Sequence, residues 1–272
     1  MSKSNNRATN EWHHILFVQH PELYLPELQK MRSDTEAEVM SITNILKEFE
    51  VHEGSRILDF SCGIGRHSVS LAQKGYEVIG YDPSQLFIKY AERNARDAGV
   101  KDHVRFFTGS AYDMEEILLS KTEYRFDATI ILSNSLGYSD SSHDLNTFRQ
   151  ISNISQTKSL LITETENRDW RIRNFLPHVY YDYGNIQLYE KWEFDLETST
   201  AWSLSKFFER KRGGILKLAL EVPIKLRLYS LHELKDLLLE SNWEYVRSFG
   251  NLKTLEKIST DSADIVTVSQ RA

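Results

Sequence analysis

One stretch of this sequence restricts the fold more than any other. Residues 56–60 (RILDF) are a short apolar run, residues 61–65 (SCGIG) are a glycine-bearing turn, and residues 77–81 (EVIGY) are a second apolar run that ends at Asp82. A helical pattern separates the two runs. Short apolar strands that alternate with helices predict a parallel sheet covered on both faces. The sequence therefore predicts a doubly wound α/β fold.

The same alternation continues towards the carboxyl terminus. Further strands are predicted at 104–108, 126–132 and 159–163, and helices at 34–50, 67–74, 84–98 and 145–155. After Thr165 the helical period is lost, and alternating runs follow near 186–194, 202–208 and 216–222, with turn-like residues between them. These runs predict a three-stranded antiparallel insert after strand five. A helix through Asn242 and two last strands, 244–249 and 264–269, complete the prediction.

The turn at residues 61–65 has the features of a nucleotide-type ligand site. Gly63 and Gly65 have no Cβ, so backbone amides can approach a ligand closely, and the next helix presents N–H groups that suit an anion. Asp59 can accept a hydrogen bond from a ligand amine, and Asp82 can accept both hydroxyls of a ribose. The alternative is that the glycines only turn the chain and Asp82 only caps a helix. Strand, turn, helix, strand and acid together favour the ligand site.

Two common nucleotide patterns fit less well. The NAD fingerprint G-x-G-x-x-G would need a glycine where Ser68 stands, and no G-x-x-x-x-G-K-[ST] loop is present. The sequence LDFSCGIG followed by VIGYDPS instead resembles motif I and the acidic loop of the class I S-adenosylmethionine-dependent methyltransferases. The resemblance covers about residues 35–165 and extends to a late helix–strand unit, LYSLHELKDLLLESNWEYVRSFGNL. Ser61 stands where the family has its first glycine.

The resemblance implies S-adenosylmethionine as the cofactor and assigns residues to it. These are Asp59, Ser61, Gly63, Gly65 and Arg66 around the methionine part, Asp82, Pro83 and Ser84 around ribose and adenine, Ser110 and Ala111 at the adenine, and Ser133, Asn134 and Leu136 beneath the sulfonium. Ser110 stands where the family has an acid, so adenine recognition would depend on its hydroxyl and the Ala111 N–H. For Arg66 the alternative is a solvated residue at the helix start.

Several residues are candidates for catalysis. Methyl transfer requires alignment and exclusion of water more than a strong base, so the absence of a triad is no objection. The candidate bases are His143, in a polar loop after strand four, His178, and Glu164 and Glu166 after strand five. Either glutamate could steer a cationic amine. Tyr138 could form a site wall through cation–π contact. The alternatives are a solvated loop, an exposed strand end and a core aromatic. Of the later aromatics, Tyr180 or Tyr181 is predicted in the site wall and Trp192 in the core.

The predicted elements divide the chain into three parts. Residues 1–33 are predicted to be a lid segment. Residues 34–166 and 229–272 are predicted to form the cofactor-binding core with a mostly parallel seven-stranded sheet. Residues 167–228 are predicted to be the antiparallel insert that caps the substrate side.

Composition and charge argue against several kinds of partner and structural feature. Lys and Arg total 33 and Asp and Glu total 39, a formal charge of −6, which disfavours a general nucleic-acid binder. The one cysteine, Cys62, excludes an internal disulfide, and no apolar run would span a bilayer. With a polar start and no metal-ligand spacing, we expect a cytoplasmic monomer or homodimer without metal, membrane or nucleic-acid partners.

The leading hypothesis is a methyltransferase that uses S-adenosylmethionine on a small-molecule acceptor, with N-methylation favoured over O-methylation. One alternative is an NAD-type oxidoreductase on a related fold. The other is a non-catalytic subunit that binds S-adenosylmethionine and docks through its aromatic insert.

Overall fold

The computed structural model describes residues 11–122 and 125–272. The first ten residues of the predicted lid segment lie outside the described residues. Among the residues that the structure describes, no helix is both long and apolar enough to cross a membrane.

The helices and strands alternate through most of the chain. The helices are α1 (Trp12–His14), α2 (Leu25–Lys30), α3 (Thr35–Glu48), α4 (Arg66–Gln73), α5 (Gln85–Asp97), α6 (Met114–Lys121), α7 (Ser141–Ile154), α8 (Arg168–Arg173) and α9 (Leu231–Glu240). The strands are β1 (Arg56–Phe60), β2 (Glu77–Asp82), β3 (Val104–Thr108), β4 (Phe126–Ile131), β5 (Ser155–Glu166), β6 (His178–Asp182), β7 (Ile186–Asp195), β8 (Thr200–Arg210), β9 (Leu216–Arg227), β10 (Trp243–Phe249) and β11 (Asp264–Arg271).

Seven strands form one sheet in the order β10-β11-β5-β4-β1-β2-β3. β1 to β5 pair in parallel, whereas β11 runs antiparallel to both β5 and β10. Along β1, Ile57 packs into the apolar core on one face and Leu58 into the core on the other, because successive side chains of a strand point to opposite faces. The predicted doubly wound α/β fold is confirmed.

The insert has four strands, not three, in the order β6-β7-β8-β9. The sequence prediction missed β6 because four of its five side chains are exposed, so no apolar alternation marks it. One face of this four-stranded sheet carries buried side chains and packs against the amino-terminal segment. Together they form an apolar cluster separate from the two clusters that cover the faces of the seven-stranded sheet, and it includes Trp12, Leu16, Trp192 and Phe207.

Trp12 joins three parts of the molecule. Its indole Nε1 donates to the carbonyl oxygen of Tyr138 at 3.0 Å and to that of Lys225 at 2.9 Å. Tyr138 follows β4 of the core and Lys225 belongs to β9 of the insert. The amino-terminal segment is therefore fixed between the core and the insert.

Two element boundaries differ from the prediction in ways that affect the site. β5 continues to Glu166 because antiparallel pairing with β11 extends to Asp264 opposite Glu166. α7 begins at Ser141, four residues earlier than predicted. The Asp140 side chain caps it by accepting from the His143 backbone N–H at 3.0 Å. His143 therefore lies in the first turn of a helix, and the prediction of a loop position was wrong.

We predict that Gly137→Ala destabilises the fold by about 2–4 kcal/mol, within the range of severe backbone and packing substitutions. Gly137 has φ of 79°, and a Cβ there would lie 2.0 Å from the Arg227 carbonyl oxygen. The two backbones approach closely because the Arg227 N–H donates to the Gly137 carbonyl oxygen at 2.8 Å. Urea unfolding would measure the loss.

The matched control is Gly99→Ala. Gly99 has a similar φ of 72°, but a Cβ there would have no atom within 4 Å. Its loss should be about 1 kcal/mol, from backbone strain alone. Equal losses in the two variants would contradict the role assigned to the close approach at Arg227.

Candidate cofactor and acceptor site

Three adjoining cavities lie at the carboxyl-terminal edge of the central strands. The turn cavity, about 80 Å³, lies beside the turn after β1 and includes Asp59, Gly63 and Asp82 in its lining. The β3-side cavity, about 90 Å³, is lined by residues such as Ser110 and Tyr112. The large cavity, about 510 Å³, lies between core, insert and amino-terminal segment. Phe17 and Tyr138 line all three cavities, so these two rings mark where they meet.

Asp82 is held in place by the backbone at the end of β2. Its Oδ2 accepts from the Gly63 N–H at 2.9 Å and its Oδ1 from the Ser84 N–H at 2.8 Å. Burial raises the pKa of Asp82 to about 6, against the opposing effect of these two N–H groups. A carboxylate oxygen has two lone pairs, so both oxygens can still accept from hydroxyl groups of a ligand.

The residues of the turn have different roles. A Cβ at Gly63 would contact only the Leu28 side chain, at 3.5 Å, whereas one at Gly65 would lie 2.8 Å from Ala91 Cβ. Gly65 therefore allows helix packing and is not among the residues that line the turn cavity. Ser61 lines that cavity with φ of 61°, so a serine adopts the left-handed conformation that favours glycine.

Asp59 and Cys62 are buried beside the turn. The Ser68 hydroxyl donates to Asp59 Oδ2 at 2.5 Å, and burial raises the pKa of Asp59. Ser68, which stands at the third glycine of the NAD pattern, thus orients the acid of β1. Burial also raises the pKa of the Cys62 thiol well above its ordinary value, which agrees with a packing role.

Arg66 is already paired. It donates to Glu38 of α3, and its Nη2 donates to the Ser133 hydroxyl at 2.9 Å. His67 Nε2 lies 2.8 Å from the same Glu38 carboxylate. Although burial acts to raise it, the hydrogen bond from His67 and the charge of Arg66 lower the pKa of Glu38 to about 2. The sequence reasoning missed Glu38, whose signal was an acid among the apolar positions of a helix.

The loop after β4 is strained and anchored to Glu164. Ser133 and Asn134 have φ of 56° and 60°, and the Ser133 N–H donates to Glu164 Oε2 at 3.1 Å. Burial raises the pKa of Glu164 to about 7. All three residues line the large cavity. Leu136 does not line any of the three cavities, because its side chain is buried in the same apolar cluster as Phe148.

Two other predicted residues are placed by packing. Ser84 is fully buried, and its hydroxyl caps α5 by accepting from the Phe87 N–H. Pro83 lines both the turn cavity and the β3-side cavity.

His143 lies away from Glu164. It lines the β3-side cavity with Ser110 and Ala111, and its ring centroid is 4.8 Å from that of Tyr112. The large cavity does not include it. Because α7 begins early, its first turn faces the loop after β3, so the structure does not bring His143 and Glu164 together.

The large cavity has aromatic walls. Tyr138 packs edge-on against Trp12, with ring centroids 4.9 Å apart, and burial raises the pKa of its hydroxyl. Tyr181 lines the cavity as predicted, whereas Tyr180 is exposed on the other face of the insert. Trp192, predicted in the core, is buried and also lines the cavity.

The charges of the large cavity divide into paired and unpaired groups. Its three cationic side chains each contact an acid, in the pairs Arg66–Glu38, Arg171–Glu166 and Lys253–Asp34. Among the described residues, three further acids of the lining have no basic partner. They are Glu164, Glu190 and Asp264.

Two of the three unpaired acids, Glu164 and Glu190, are held by hydrogen bonds, and the third, Asp264, is half-buried. Glu190 accepts from the Trp192 indole N–H at 3.1 Å and from the Ser205 hydroxyl at 3.0 Å. Burial raises the pKa of Glu190, and burial followed by the charge of Glu166 raises that of Asp264 to about 6. The sequence reasoning missed Glu190, although its position between Leu188 and Trp192 placed it on the inner face of a strand. No group of three His, Cys, Asp or Glu side chains in the described part of the chain is arranged to hold a metal ion.

Comparison with known proteins identifies the core. Residues 57–157 match a family model described as a methyltransferase domain. Over this segment the chain is similar to methyltransferase domains. The segment contains β1, the turn and β2, and extends through β4 and α7, so it includes the strand ends that surround the turn cavity.

The domain is similar to curated proteins of more than one kind. The chain is 30% identical over 131 residues to the "Putative methyltransferase YqeM" of Bacillus subtilis, covering 48% of this chain and 49% of that protein. It is 28% identical over 98 residues to a 23S rRNA (uracil(1939)-C(5))-methyltransferase of Neisseria lactamica, covering 36% and 22%. The chain thus spans half or less of the length of these relatives.

Solved structures match over more of the chain. An S-adenosylmethionine-dependent methyltransferase from Clostridium acetobutylicum matches with a TM-score of 0.73 and 18% identity, over 87% of this chain and 92% of that one. The sugar N-methyltransferase KedS8 from Streptoalloteichus matches with a TM-score of 0.65 and 15% identity, over 90% and 91%. These matches confirm the fold, including the additional antiparallel sheet.

The residues of the turn cavity fit the cofactor of this family. S-adenosylmethionine carries a ribose with two hydroxyls, and Asp82 offers two fixed oxygens with free lone pairs. Gly63 leaves the adjoining space without a side chain, and Leu28 is its nearest neighbour there. Arg66 retains a position in the lining between the turn cavity and the large cavity.

We predict that Asp82→Ala weakens binding of S-adenosylhomocysteine about 10- to 100-fold, the usual loss for charge-assisted hydrogen bonds. The variant removes the acceptor for ribose and releases the Gly63 N–H that positions the turn. Isothermal titration calorimetry measures the effect. Asp102→Ala is the control, since Asp102 is exposed in the turn before β3. Equal affinities of the Asp82 and Asp102 variants would contradict the assignment.

Proposed function

We propose that this protein transfers a methyl group from S-adenosylmethionine to the nitrogen of a small amine bound in the large cavity. One observation carries the proposal: three carboxyl groups that form no salt bridge, the buried Glu190 and the half-buried Glu164 and Asp264, line an aromatic cavity that adjoins the turn cavity. A buried carboxylate without a partner is costly, and a cationic ligand removes that cost. Aromatic faces such as Trp12 also attract cations.

Glu164 is the best-placed group for proton transfer. Its carboxylate is fixed by the Ser133 N–H at the loop that separates the turn cavity from the large cavity. With a pKa of about 7, Glu164 can hold an incoming ammonium group and accept its proton near neutral pH. The neutral amine then has a lone pair for attack. When bound, S-adenosylmethionine supplies the methyl group on a positively charged sulfur that leaves as a neutral thioether.

The remaining cavity residues align the acceptor and exclude water. Tyr138 and Phe17 lie where the cavities meet, with ring centroids 5.7 Å apart, and Tyr24 packs edge-on against Phe17. Two of these rings belong to the amino-terminal segment that Trp12 fixes between core and insert. Alignment and removal of water account for most of what a methyl transfer requires of the protein.

The acidic lining favours a small amine over a nucleic acid. RNA methyltransferases are among the relatives, but binding RNA relies on cations that neutralise phosphates. Here the three cations of the large cavity are each paired with an acid, and the chain has a formal charge of −6. The match to a sugar N-methyltransferase over 90% of the chain adds support for a small acceptor with an amino group.

We predict that Glu164→Gln lowers kcat about 100-fold, the usual contribution of a general base. In the wild type, activity should fall as the pH drops below about 7, because protonated Glu164 cannot accept the proton of the ammonium group. The variant should lose this dependence and keep only the titration of the acceptor itself. Acceptor candidates with amino, hydroxyl and carbon nucleophiles would be screened first with labelled S-adenosylmethionine.

Glu244→Gln is the control, because Glu244 is exposed on β10. An unchanged pH profile in Glu164→Gln would remove Glu164 from proton transfer. Methylation of hydroxyl or carbon acceptors only would contradict the N-methyltransferase. Tight cofactor binding with no turnover of any acceptor would favour a non-catalytic subunit instead.

A further inference from the structure

The insert wall of the large cavity carries a buried acid that the proposed proton transfer does not use. Glu190 lies on β7 of the four-stranded sheet, lines the cavity and is only 8% exposed. Among the described residues it forms no salt bridge. A carboxylate removed from water without a cation is costly, and a cationic group of a ligand in the cavity would remove that cost.

Hydrogen-bond donors hold the Glu190 carboxylate in one orientation. Its Oε2 accepts from the Trp192 indole N–H at 3.1 Å, and its Oε1 accepts from the Ser205 hydroxyl at 3.0 Å. Ser205 is itself buried, and its Oγ lies 3.0 Å from that of Ser203. Each carboxylate oxygen has a second lone pair. The donors therefore fix the position of the charge and leave both oxygens able to accept from an ammonium group.

Arg171 does not form a salt bridge with Glu190. Burial raises the pKa of Glu190, and the charge of Arg171 only acts against this effect. The guanidinium pairs with Glu166 at 2.9 Å and lies 5.0 Å from the centre of the Trp192 ring. Because Arg171 is paired with Glu166, Glu190 remains an acid without a cation of its own.

Aromatic rings lie near Glu190. Tyr24 and Tyr181 both line the large cavity. Burial raises the pKa of both tyrosine hydroxyls, and the charge of Glu190 adds to the effect, which places both rings near this carboxylate. Trp192 lines the same part of the cavity. Aromatic faces attract alkylammonium groups, so the surroundings of Glu190 suit a positively charged end of a ligand.

Glu190 and Glu164 belong to different walls of the large cavity. Glu164 lies on β5 of the seven-stranded sheet, and Glu190 lies on β7 of the insert. Asp264 is on the same side as Glu164, because β11 pairs with β5. The cavity has a volume of about 510 Å³, which is within the range of sites for ligands of many atoms. One acceptor molecule can therefore contact both walls.

We propose that the acceptor is a diamine whose second ammonium group is bound by Glu190 on the insert, while its reacting nitrogen lies near Glu164. This inference rests on the proposed function for the position of the reacting nitrogen, and it goes further by naming the class of substrate. Glu190 then determines specificity, because it binds the end of the acceptor that is not methylated. A monoamine near Glu164 would leave the Glu190 carboxylate without a cation.

The test compares the binding of matched amines to the protein saturated with S-adenosylhomocysteine, by isothermal titration calorimetry at pH 7.5. The probes are straight-chain diamines of three to eight carbons, their mono-N-acetyl derivatives and the 1-aminoalkanes of the same lengths. Acetylation keeps the chain and removes the second charge. We expect the best diamine to bind at least about tenfold more tightly than either partner, the usual gain from one charge-assisted hydrogen bond.

Glu190→Gln tests whether this residue is responsible. Glutamine has nearly the same size and can still accept a hydrogen bond, but it carries no charge. We expect the affinity ratio of diamine to aminoalkane to fall to within about threefold of one, because the charge-assisted contact is lost.

Glu193→Gln is the matched control. Glu193 lies on the same strand but is exposed on the opposite face of the sheet, and the substitution removes the same charge. This variant should keep the wild-type ratio. A similar fall of the ratio in both variants would mean that diamines respond to the overall charge of −6 and not to Glu190.

The inference is wrong if the wild type binds diamines no more tightly than aminoalkanes, a comparison that needs no variant to fold. It is also wrong if Glu190→Gln keeps the ratio or weakens both amines equally. Turnover of the same amines with labelled S-adenosylmethionine tests the proposed function separately. Selective binding of diamines without methylation would contradict the N-methyltransferase and support the second ammonium site. Methylation without any preference for diamines would contradict only the inference.

Discussion

The site depends on the hydrogen bond between the Gly63 N–H and the Asp82 carboxylate. This contact of 2.9 Å joins the turn after β1 to the end of β2, which are neighbouring parallel strands. It fixes an acid and a bare peptide next to each other before any ligand arrives. Since the Ser84 N–H holds the second oxygen, Asp82 cannot rotate without breaking two hydrogen bonds. Such preorganisation lowers the ordering cost of binding.

A second set of contacts connects the cofactor turn with the acceptor cavity. Arg66 follows the turn and contacts Glu38 of α3 and the hydroxyl of Ser133, and the Ser133 N–H contacts Glu164. The start of α4, the loop after β4 and the end of β5 are thereby held in one arrangement. Arg66, paired in this way, orients the loop that carries Ser133. Burial keeps the pKa of Glu164 raised, although the charge of Arg66 acts to lower it.

The sequence was sufficient to predict the core but not the distribution of residues among the cavities. β3 has the predicted bounds, because an apolar run between a turn and a polar loop leaves little choice of register. His143 was placed wrongly because the cap at Asp140 extends α7, a local effect that the apolar period of residues 145–155 does not show. Leu136 and Gly65 carry residue types common at ligand sites, yet both are used for packing.

The alternation of residues along β7 contains a sequence signal that could have identified Glu190 as an inward-facing acid. Glu190 alternates with Leu188 and Trp192, so an acid was predictable on the inner face of β7. The burial of Glu190 was not predictable, because nothing in the local sequence pattern shows that the amino-terminal segment covers this face of β7. Tyr24 lies near Glu190, and Glu27 lies near Tyr183, only through long-range packing. Such contacts are set by tertiary structure and are not encoded in periodicity.

The most direct test is a crystal structure of the protein with S-adenosylhomocysteine and a bound amine. We predict that both ribose hydroxyls contact Asp82, that the adenine lies in the β3-side cavity, and that the amine nitrogen lies near Glu164. A nucleoside bound away from Gly63 and Asp82, or an amine outside the large cavity, would contradict this account.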